Sequence, residues 1–228
     1  MNEDIRINKY LASAGLADSR RKADEMIKAG LVLVNGNRIT ELSTKLGADD
    51  IVEIAGVKGE IRRNIYIALN KPRGVVCSHV NQDNNPTIFD ILPKAFYNLK
   101  IAGRLDKDSE GLVILSSDGD FIQSLSHPSN NKSKTYIVIT KEQITQQSIS
   151  ALNAGIKLKD GMSKLKVSAI NNNTVRVILS EGKNRQIRRS FAGAQLEVIK
   201  LQRVKIGNYT NPRLQPRKFV FIKPEDVL

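Results

Sequence analysis

The sequence predicts an α+β protein: a small N-terminal helix–turn–helix–hairpin domain, followed by a larger domain with a mostly antiparallel sheet flanked by helices. Three observations predict this class. Helical spacing and a hairpin signal fill the first quarter of the chain, and a polar, charged stretch follows them. Strand and helix patterns then alternate without a regular strand–helix–strand repeat. We therefore expect domains at residues 1–58 and 65–228, joined by a linker at residues 59–64.

The elements of the first domain are marked by their caps and turns. A serine precedes the second apolar helical stretch as an N-cap does, glycines follow both stretches, and Asn-Gly readily takes the positive φ angles of a tight hairpin. The expected elements are a helix through Ile7, Leu11 and Ala14 that ends at Gly15, a helix from Ser19 to Gly30, a hairpin of Leu31–Val34 and Arg38–Ile39 around Asn35-Gly36, and a strand near Ile51–Ile54.

The second domain is expected to be rich in strands, because short apolar runs bounded by turn residues recur along it. The expected strands are Ile65–Leu69, Gly74–Cys77, Gly111–Leu115, Tyr136–Thr140, Val175–Leu179, Glu197–Leu201 and Phe219–Ile222. The expected helices are Asp118–Ser126, Lys141–Ala154 and Asn184–Ala194.

The composition excludes several classes of protein. The chain has 228 residues, of which 40% are hydrophobic and 26% charged, as is typical of globular proteins. No apolar run approaches the roughly 20 residues that span a bilayer, so we expect no membrane insertion. The start shows no basic segment followed by an apolar one, and we expect no secretory signal. Because the single cysteine, Cys77, cannot form an internal disulfide, a reducing cytoplasm is the expected compartment.

The positive charge lies almost entirely in the last part of the chain. The net charge is +13, and residues 131–228 carry 19 basic and 6 acidic side chains. The two preceding thirds are close to neutral. This segregation favours one basic face that meets a polyanion such as a nucleic acid.

A second basic group lies in the first domain. Arg20, Arg21 and Lys22 occupy the first turn of the expected second helix, where the helix dipole is already positive. Two interpretations fit this group: a solvated basic turn, or a phosphate site in which cations and free N–H groups converge on an anion. The basic charge of the chain favours the phosphate site.

The usual motifs of several enzyme classes are absent from the sequence. There is no P-loop, no G-x-G-x-x-G after a strand, no H-E-x-x-H and no cysteine cluster, and the two histidines, His79 and His127, lie far apart. We therefore expect neither a metal nor a cofactor. Any catalysis would rely on carboxylate, tyrosine and arginine side chains.

The most unusual stretch is the polar loop from Ile101 to Leu112, which lies between apolar runs. If it is extended, Arg104 and Asp106 lie on one face, and the guanidinium would keep the carboxylate ionised. An acidic calcium-type loop or a surface salt bridge is the alternative. The loop lacks the ligand spacing of an EF-hand, which weakens the calcium option.

The second unusual stretch, Glu181–Arg189, is a basic segment that enters a helix. On a helical wheel Arg188 lies beside the apolar face, where its guanidinium can reach a buried carboxylate. Arg185 and Arg189 point the other way and are expected to be free to meet phosphates. A solvent-facing basic helix is the plainer alternative.

These stretches belong to a set of four motifs that resembles the pseudouridine synthases of the RsuA/RluB type, from about residue 5 to residue 207. The motifs are Asn70-Lys71-Pro72-Arg73-Gly74, Gly103–Asp106 with Ser109–Leu112, Lys134–Val138 and Glu181–Arg189. Residues 5–55 resemble the small-ribosomal-protein-type, or alpha-L, RNA-binding domain on Ile7–Leu11, Ser19–Arg21 and Val34–Gly36.

The resemblance implies a role for individual residues. Asp106 would be the catalytic aspartate, Tyr136 would pack on the target uracil, and Arg188 would pair with the aspartate. Arg104 would fill the place of the flipped base, and Leu201 matches an apolar position close to the pocket. The expected RNA contacts are Arg20, Arg21, Lys22, Lys71, Lys183, Arg185 and Arg189, with a structural role for Lys71 as the alternative.

The function that the resemblance implies is the isomerisation of a uridine of ribosomal RNA to pseudouridine by base flipping. The Gly182–Arg185 form favours the large-subunit RNA, and small-subunit RNA stays open. A non-catalytic ribosome-assembly factor and a transfer-RNA synthase of the same chemistry are the alternatives. The expected partner is ribosomal RNA or an assembly intermediate, and the expected protein is a cytoplasmic monomer.

Overall fold

A computed structural model describes residues 5–47, 49–54, 57–58, 64–81, 83–127, 130 and 132–228, with the backbone alone for residues 57–58. The chain divides into two compact units, residues 1–64 and 65–228. The expected linker at residues 59–64 lies outside the described residues except for Asn64. Each unit is described by itself.

The first unit packs two helices on small antiparallel sheets. Its elements are β1 (Ile5–Arg6), α1 (Ile7–Ser13), α2 (Arg20–Lys28), β2 (Val32–Val34), β3 (Asn37–Ile39), β4 (Lys45–Leu46), β5 (Val52–Ile54) and β6 (Val57–Lys58). Strand β1 pairs with β4, and the order of the other sheet is β3-β2-β5-β6. The core of this unit consists of Ile7, Leu11, Ala23, Ile27, Val32, Val34, Leu46 and Val52.

The predicted cap and turn of this unit are confirmed. The Oγ of Ser19 accepts a hydrogen bond from the backbone N–H of Lys22, which satisfies a donor in the first turn of α2. Asn35 and Gly36 have φ angles of +51° and +79°, as the tight turn between β2 and β3 requires. The hairpin and both helices therefore lie at the positions that the sequence predicts.

The second unit is built on one large mixed sheet. Its elements are β7 (Tyr66–Lys71), β8 (Lys100–Ala102), β9 (Glu110–Ser116), α3 (Gly119–Ser126), β10 (Lys134–Thr140), α4 (Gln146–Ala154), β11 (Ile156–Leu158), β12 (Gly161–Ser163), β13 (Lys166–Asn171), β14 (Thr174–Leu179), α5 (Gln186–Gly193), β15 (Val198–Ile206), β16 (Tyr209–Thr210) and β17 (Phe219–Phe221). The strand order is β13-β14-β10-β15-β9-β7-β17, with β8 beside β9 and β16 beside β15. Strands β9 and β15 run parallel, and the other described pairs in this sheet run antiparallel.

Each face of this sheet carries its own core. Along β9, Val113 and Leu115 belong to one hydrophobic cluster and Leu112 and Ile114 to the other, because successive strand residues point to opposite faces. Helices α4 and α5 pack on the first face through Ile149, Leu152, Ile187 and Phe191. Helix α3 packs on the second face through Phe121, Ile122 and Leu125. The α+β class is confirmed.

Two predicted elements need correction. Gly74–Cys77 is not a strand, since its described pairing is a single bridge between Val76 and Thr87. Helix α4 begins at Gln146 rather than Lys141, because Thr145 caps it: its Oγ1 accepts a hydrogen bond from the N–H of Ser148. Among the residues that the structure describes, no helix combines the length and apolar character of a membrane span.

Candidate active site

A cavity of about 500 Å³ lies in the second unit, between the loop that precedes β9, the strands β10 and β15, and the segment that leads into α5. This volume is in the range of pockets that hold small molecules or single nucleotides. The side chains that give it its chemistry are Arg104, Asp106, Tyr136, Arg185, Leu201 and Arg203. Four of the predicted site residues and the predicted phosphate ligand Arg185 therefore meet at one cavity.

Asp106 lies at the cavity in the polar loop, with 34% of its side chain exposed. The nearest cation among the described residues is Arg185, whose Nη1 lies 3.9 Å from Asp106 Oδ2, which is a long ion-pair contact. The carboxylate is therefore open to a ligand. Arg104, two residues earlier, is exposed and lines the same cavity.

The acid that anchors the basic segment is Asp108. Arg185 Nη1 and Nη2 donate to its Oδ1 and Oδ2 at 3.0 and 2.9 Å. Burial by itself would raise the pKa of Asp108, but the hydrogen bonds from Arg185 and the charge of Arg188 lower it below its ordinary value. The expectation that the guanidinium of Arg185 is unpaired is therefore wrong, because a bidentate contact with Asp108 uses it, and the RNA contact of Arg185 stays a prediction.

Arg188 does not pair with Asp106, and that prediction is also wrong. Its guanidinium is 12% exposed and donates from Nη2 to the backbone oxygen of Asp108 at 2.9 Å and from Nη1 to that of Val198 at 2.8 Å. Nε lies 3.2 Å from Asp108 Oδ2, as an ion-pair contact without hydrogen-bond geometry. Arg188 reaches the acidic loop as expected, but it holds the turn after Asp106 rather than Asp106 itself.

Tyr136 and Leu201 form the apolar floor of the cavity. They are 7% and 6% exposed, and both line it. On the paired strands β10 and β15, Leu201 lies opposite Val138 and Tyr136 opposite Arg203, so the sheet fixes the ring beside the aliphatic side chain. This floor suits a planar, partly apolar ligand.

Arg203 is a residue that the sequence interpretation missed. It is 1% exposed, and it donates from Nε to the backbone oxygen of Leu112 at 2.7 Å and from Nη2 to that of Gly103 at 2.8 Å. These two carbonyls flank the loop that carries Asp106. The signal was available, since an arginine two residues after Leu201 in an apolar strand must share the cavity-facing side.

The side chain of Lys71, a predicted RNA contact with a structural role as its alternative, is held by backbone oxygens. The residue is fully buried, and its Nζ donates to the backbone oxygens of Pro72 at 3.0 Å and Val75 at 2.7 Å. Burial lowers the pKa of this lysine. The structural alternative is the one that the contacts support, because the ammonium holds the turn after β7.

The other two predicted RNA contacts of the second unit, Arg189 and Lys183, also contact groups of the protein. Arg189 forms a bidentate contact with Asp160 at 2.8 and 2.9 Å, and is therefore not free as expected. Lys183 lines the cavity, donates to the backbone oxygen of Met162 at 2.8 Å and lies 3.6 Å from Glu181. The contact of Arg189 with Asp160 attaches the hairpin of β11 and β12 to α5, and the contact of Lys183 with Met162 attaches it to the segment that leads into α5.

The predicted phosphate site of the first unit is exposed at the start of α2. Arg20 and Arg21 are solvent-accessible, and Arg20 Nη2 contacts Asn8 Oδ1 at 3.4 Å. Lys22 pairs with Glu25 at 2.9 Å, which partly neutralises it. In the described part of the chain, no cluster of three or more histidine, cysteine, aspartate or glutamate side chains could hold a metal ion.

The arrangement can hold a flat ligand against Tyr136 with an accessible carboxylate at its side. Comparison with known proteins gives the chemistry of related chains. Residues 65–193 match the family profile described as RNA pseudouridylate synthase, and residues 5–52 match the S4 domain.

Proteins named as pseudouridine synthases are similar to this chain over most of its length and of their own. The "Ribosomal large subunit pseudouridine synthase B" of Bacillus subtilis is 37% identical over 205 residues, covering 87% of this chain and 84% of that protein. An "Uncharacterized RNA pseudouridine synthase" of Aquifex aeolicus is 32% identical over 227 residues, covering 95% and 89%. A structure named "Crystal structure of pseudouridylate synthase" has a TM-score of 0.70 at 29% identity and covers 97% of both chains.

Proposed function

The chain belongs to the RNA pseudouridylate synthase family and carries an S4 domain, and from that premise we propose that it converts a uridine of ribosomal RNA to pseudouridine. The observation that carries the proposal is the position of Asp106. Its carboxylate is one-third exposed at the cavity whose floor is Tyr136 and Leu201. An extruded pyrimidine would stack on this floor, and the carboxylate at its side would act on the sugar.

The reaction moves a uracil ring without an external acceptor. The glycosidic bond between the sugar and N1 breaks, a bond between the same sugar carbon and C5 forms, N1 gains a proton and C5 loses one. Asp106 either attacks the anomeric carbon or removes a proton from the sugar, and both routes need it ionised. Tyr136 would stack on the detached ring and hold it for rotation, and its hydroxyl could help to remove the C5 proton.

The other groups would position the acid. Arg185 and Arg188 hold Asp108, two residues after Asp106, and Arg203 holds the carbonyls of Gly103 and Leu112 on either side of the loop. In this proposal they are positioning residues rather than groups that contact the reacting atoms. Arg104, exposed at the cavity, is proposed to occupy the place of the extruded base.

Ribosomal RNA is proposed as the substrate for two reasons. The related Bacillus subtilis protein is named for the large ribosomal subunit, and the first unit presents Arg20 and Arg21 at a helix N-terminus, where phosphates bind. We keep residues 1–58 as the RNA-binding domain and 65–228 as the catalytic domain. We further propose that the protein is a monomer in a reducing cytoplasm. Its substrate is then either free RNA or an assembly particle.

The experiment is modification mapping on both ribosomal RNAs from a strain that lacks the protein. The proposal expects one pseudouridine to disappear from the large-subunit RNA and to return with the wild-type gene but not with Asp106→Ala. An unchanged modification map, together with equal binding of ribosomal RNA by both proteins, would replace the enzyme with a binding factor.

A further inference from the structure

The wall of the cavity carries two cations, Lys134 and Arg203, whose charges have no role at the reacting atoms in the proposed reaction. Lys134 lies two residues before Tyr136 on β10, so the two side chains share a face of the strand. Arg203 lies opposite Tyr136 on β15. Both cations line the cavity. Neither has a carboxylate within ion-pair distance among the described residues.

Arg203 keeps unused donors on the side that faces the cavity. Its Nε and Nη2 donate to backbone oxygens, which leaves Nη1 without a hydrogen-bond partner in the described part of the chain. The side chain is 1% exposed, so bulk water compensates little of its charge. A buried charge without a counterion is unfavourable unless a ligand supplies one.

Lys134 has the same unbalanced surroundings. Within the described part of the chain its Nζ makes one hydrogen bond, to the backbone oxygen of Lys132 at 3.3 Å. Burial and then the neighbouring charge of Arg203 lower the pKa of Lys134, and no acid of the described residues raises it. Lys71 differs, because the charges of Asp106 and Asp108 act on it in the opposite direction.

The guanidinium of Arg203 and the aliphatic end of the Lys134 side chain approach the same point beside Gly103. Arg203 Nη1 and Lys134 Cε each lie 3.7 Å from the point where a Cβ atom on Gly103 would be. Gly103 has a φ of +70°, and the missing side chain leaves this point empty. The space opens to the cavity beside Tyr136.

We propose that Lys134 and Arg203 form a phosphate subsite beside Gly103, which binds a phosphodiester group next to the nucleotide held on Tyr136. This proposal rests on the proposed function. A phosphodiester fits better than a uracil carbonyl, because a neutral oxygen would leave both charges unbalanced. An anion with several oxygens can accept from Nη1 and Nζ together. The subsite would bind the backbone, while Tyr136 and Leu201 bind the base.

The direct test is the acylation rate of Lys134 at pH 8, measured by mass spectrometry with an amine-acylating ester on the full-length protein. The probe is a decauridylate, and uridine and inorganic phosphate, the latter at an equal concentration of phosphate groups, are the controls. The subsite predicts at least about fivefold slower acylation of Lys134 with decauridylate and little change with either control. Lys166, exposed on β13 away from the cavity lining, should react at one rate throughout.

The contrary outcomes are distinct. An unchanged rate at Lys134 overturns the subsite, equal protection by uridine shows occlusion by the base alone, and equal protection by inorganic phosphate shows a site for a free anion. Each of these results contradicts the assignment to the RNA backbone.

Matched variants test the charge itself. Lys134→Met should raise the Kd for decauridylate about fivefold to tenfold. The slope of log K against log salt concentration should become shallower by roughly 0.7, the value for one phosphate contact to a single strand. Lys134→Arg and the control Lys166→Met should stay within about twofold of wild type. If Lys134→Met binds like Lys166→Met, or if Lys134→Arg loses as much as Lys134→Met, the subsite is wrong.

These results separate the subsite from the proposed function. Protection of Lys134 without any missing pseudouridine in ribosomal RNA would support the subsite and refute the substrate. A missing pseudouridine without protection of Lys134 would refute the subsite and leave the function standing.

Discussion

The carboxylate of Asp108 accepts hydrogen bonds from both terminal nitrogens of Arg185, at 3.0 and 2.9 Å. Asp106, two residues earlier, lines the cavity instead. Arg185 has a left-handed backbone, with a φ of +47°, at the N-cap of α5. One acid of the loop is therefore committed to structure and the other is left open. This division of roles underlies the predictions.

Asp108→Asn should lower stability in a pH-dependent way. The folded pKa of Asp108 lies below its ordinary value of 3.8, so its contribution is present above that value and is lost as pH falls through the folded pKa. The gap in unfolding free energy between wild type and variant should be constant above about pH 5 and shrink below pH 3.8. Urea unfolding at pH 7, 5 and 3 measures it. A gap that widens on acidification would contradict this role.

Gly111→Ala should destabilise the second unit strongly. A Cβ atom there would overlap the backbone oxygen of Arg203 and lie 2.8 Å from its nitrogen, at a φ of +106°. Gly74 is the matched control, with a φ of +90° and nothing within 4 Å of the Cβ position. We expect the free energy of unfolding, measured in urea, to fall by more than about 3 kcal/mol in Gly111→Ala and by about 1–2 kcal/mol in Gly74→Ala. Equal losses would mean that the close approach of β9 and β15 is unimportant.

Substitutions of Tyr136 should separate stacking from proton transfer. Tyr136→Phe keeps the ring and should bind RNA within about twofold of wild type, whereas Tyr136→Leu should lose about 1–3 kcal/mol of binding. Turnover of Tyr136→Phe falls if the hydroxyl helps to remove the C5 proton. Binding and single-turnover rates on a mapped RNA fragment measure both effects. Wild-type binding by Tyr136→Leu would exclude stacking on this ring.

Arginines of the two units should affect different steps. Arg188→Ala removes two hydrogen bonds from a charged donor, each worth about 1.5–3 kcal/mol, and should slow turnover at least tenfold with little change in RNA affinity. Arg20→Ala with Arg21→Ala removes exposed cations, and should weaken RNA binding and lower its salt slope while turnover at saturating RNA persists. The same pair of assays on both variants decides this, and matching losses would refute the division.

Much of the fold follows from local rules. Asn35-Gly36 and Ser19 specify a turn and a cap through their own backbone and side-chain chemistry, so they could be predicted without tertiary information. Strand β13 was missed because its sequence, KVSAIN, contains no continuous apolar run, and five of its six residues are exposed. Gly74–Cys77 has that signal, yet it packs as a loop whose N–H groups bond outside the sheet, such as Val76 to the oxygen of Pro86.

The sequence predicts which residues line the site better than it predicts which of them contact one another. Asp106, Tyr136 and Arg104 could be predicted because each belongs to a motif of its own. Leu201 was predicted from its match to an apolar position of the family, and all four residues line the cavity. The partner of Arg188 could not be read from spacing, because the turn at Lys107–Asp108 redirects the loop and presents Asp108 to the helix. Lys71 carries a charge yet is fully buried, and only the fold reveals that.

The most direct measurement of the central claim is pseudouridine formation in the mapped ribosomal RNA by Asp106→Asn. This variant keeps the size of the side chain and removes a carboxylate whose nearest described cation is 3.9 Å away. We expect turnover to fall at least about 10⁴-fold, with the melting temperature and RNA affinity close to those of wild type. Turnover within about tenfold of wild type would show that Asp106 is not the catalytic acid.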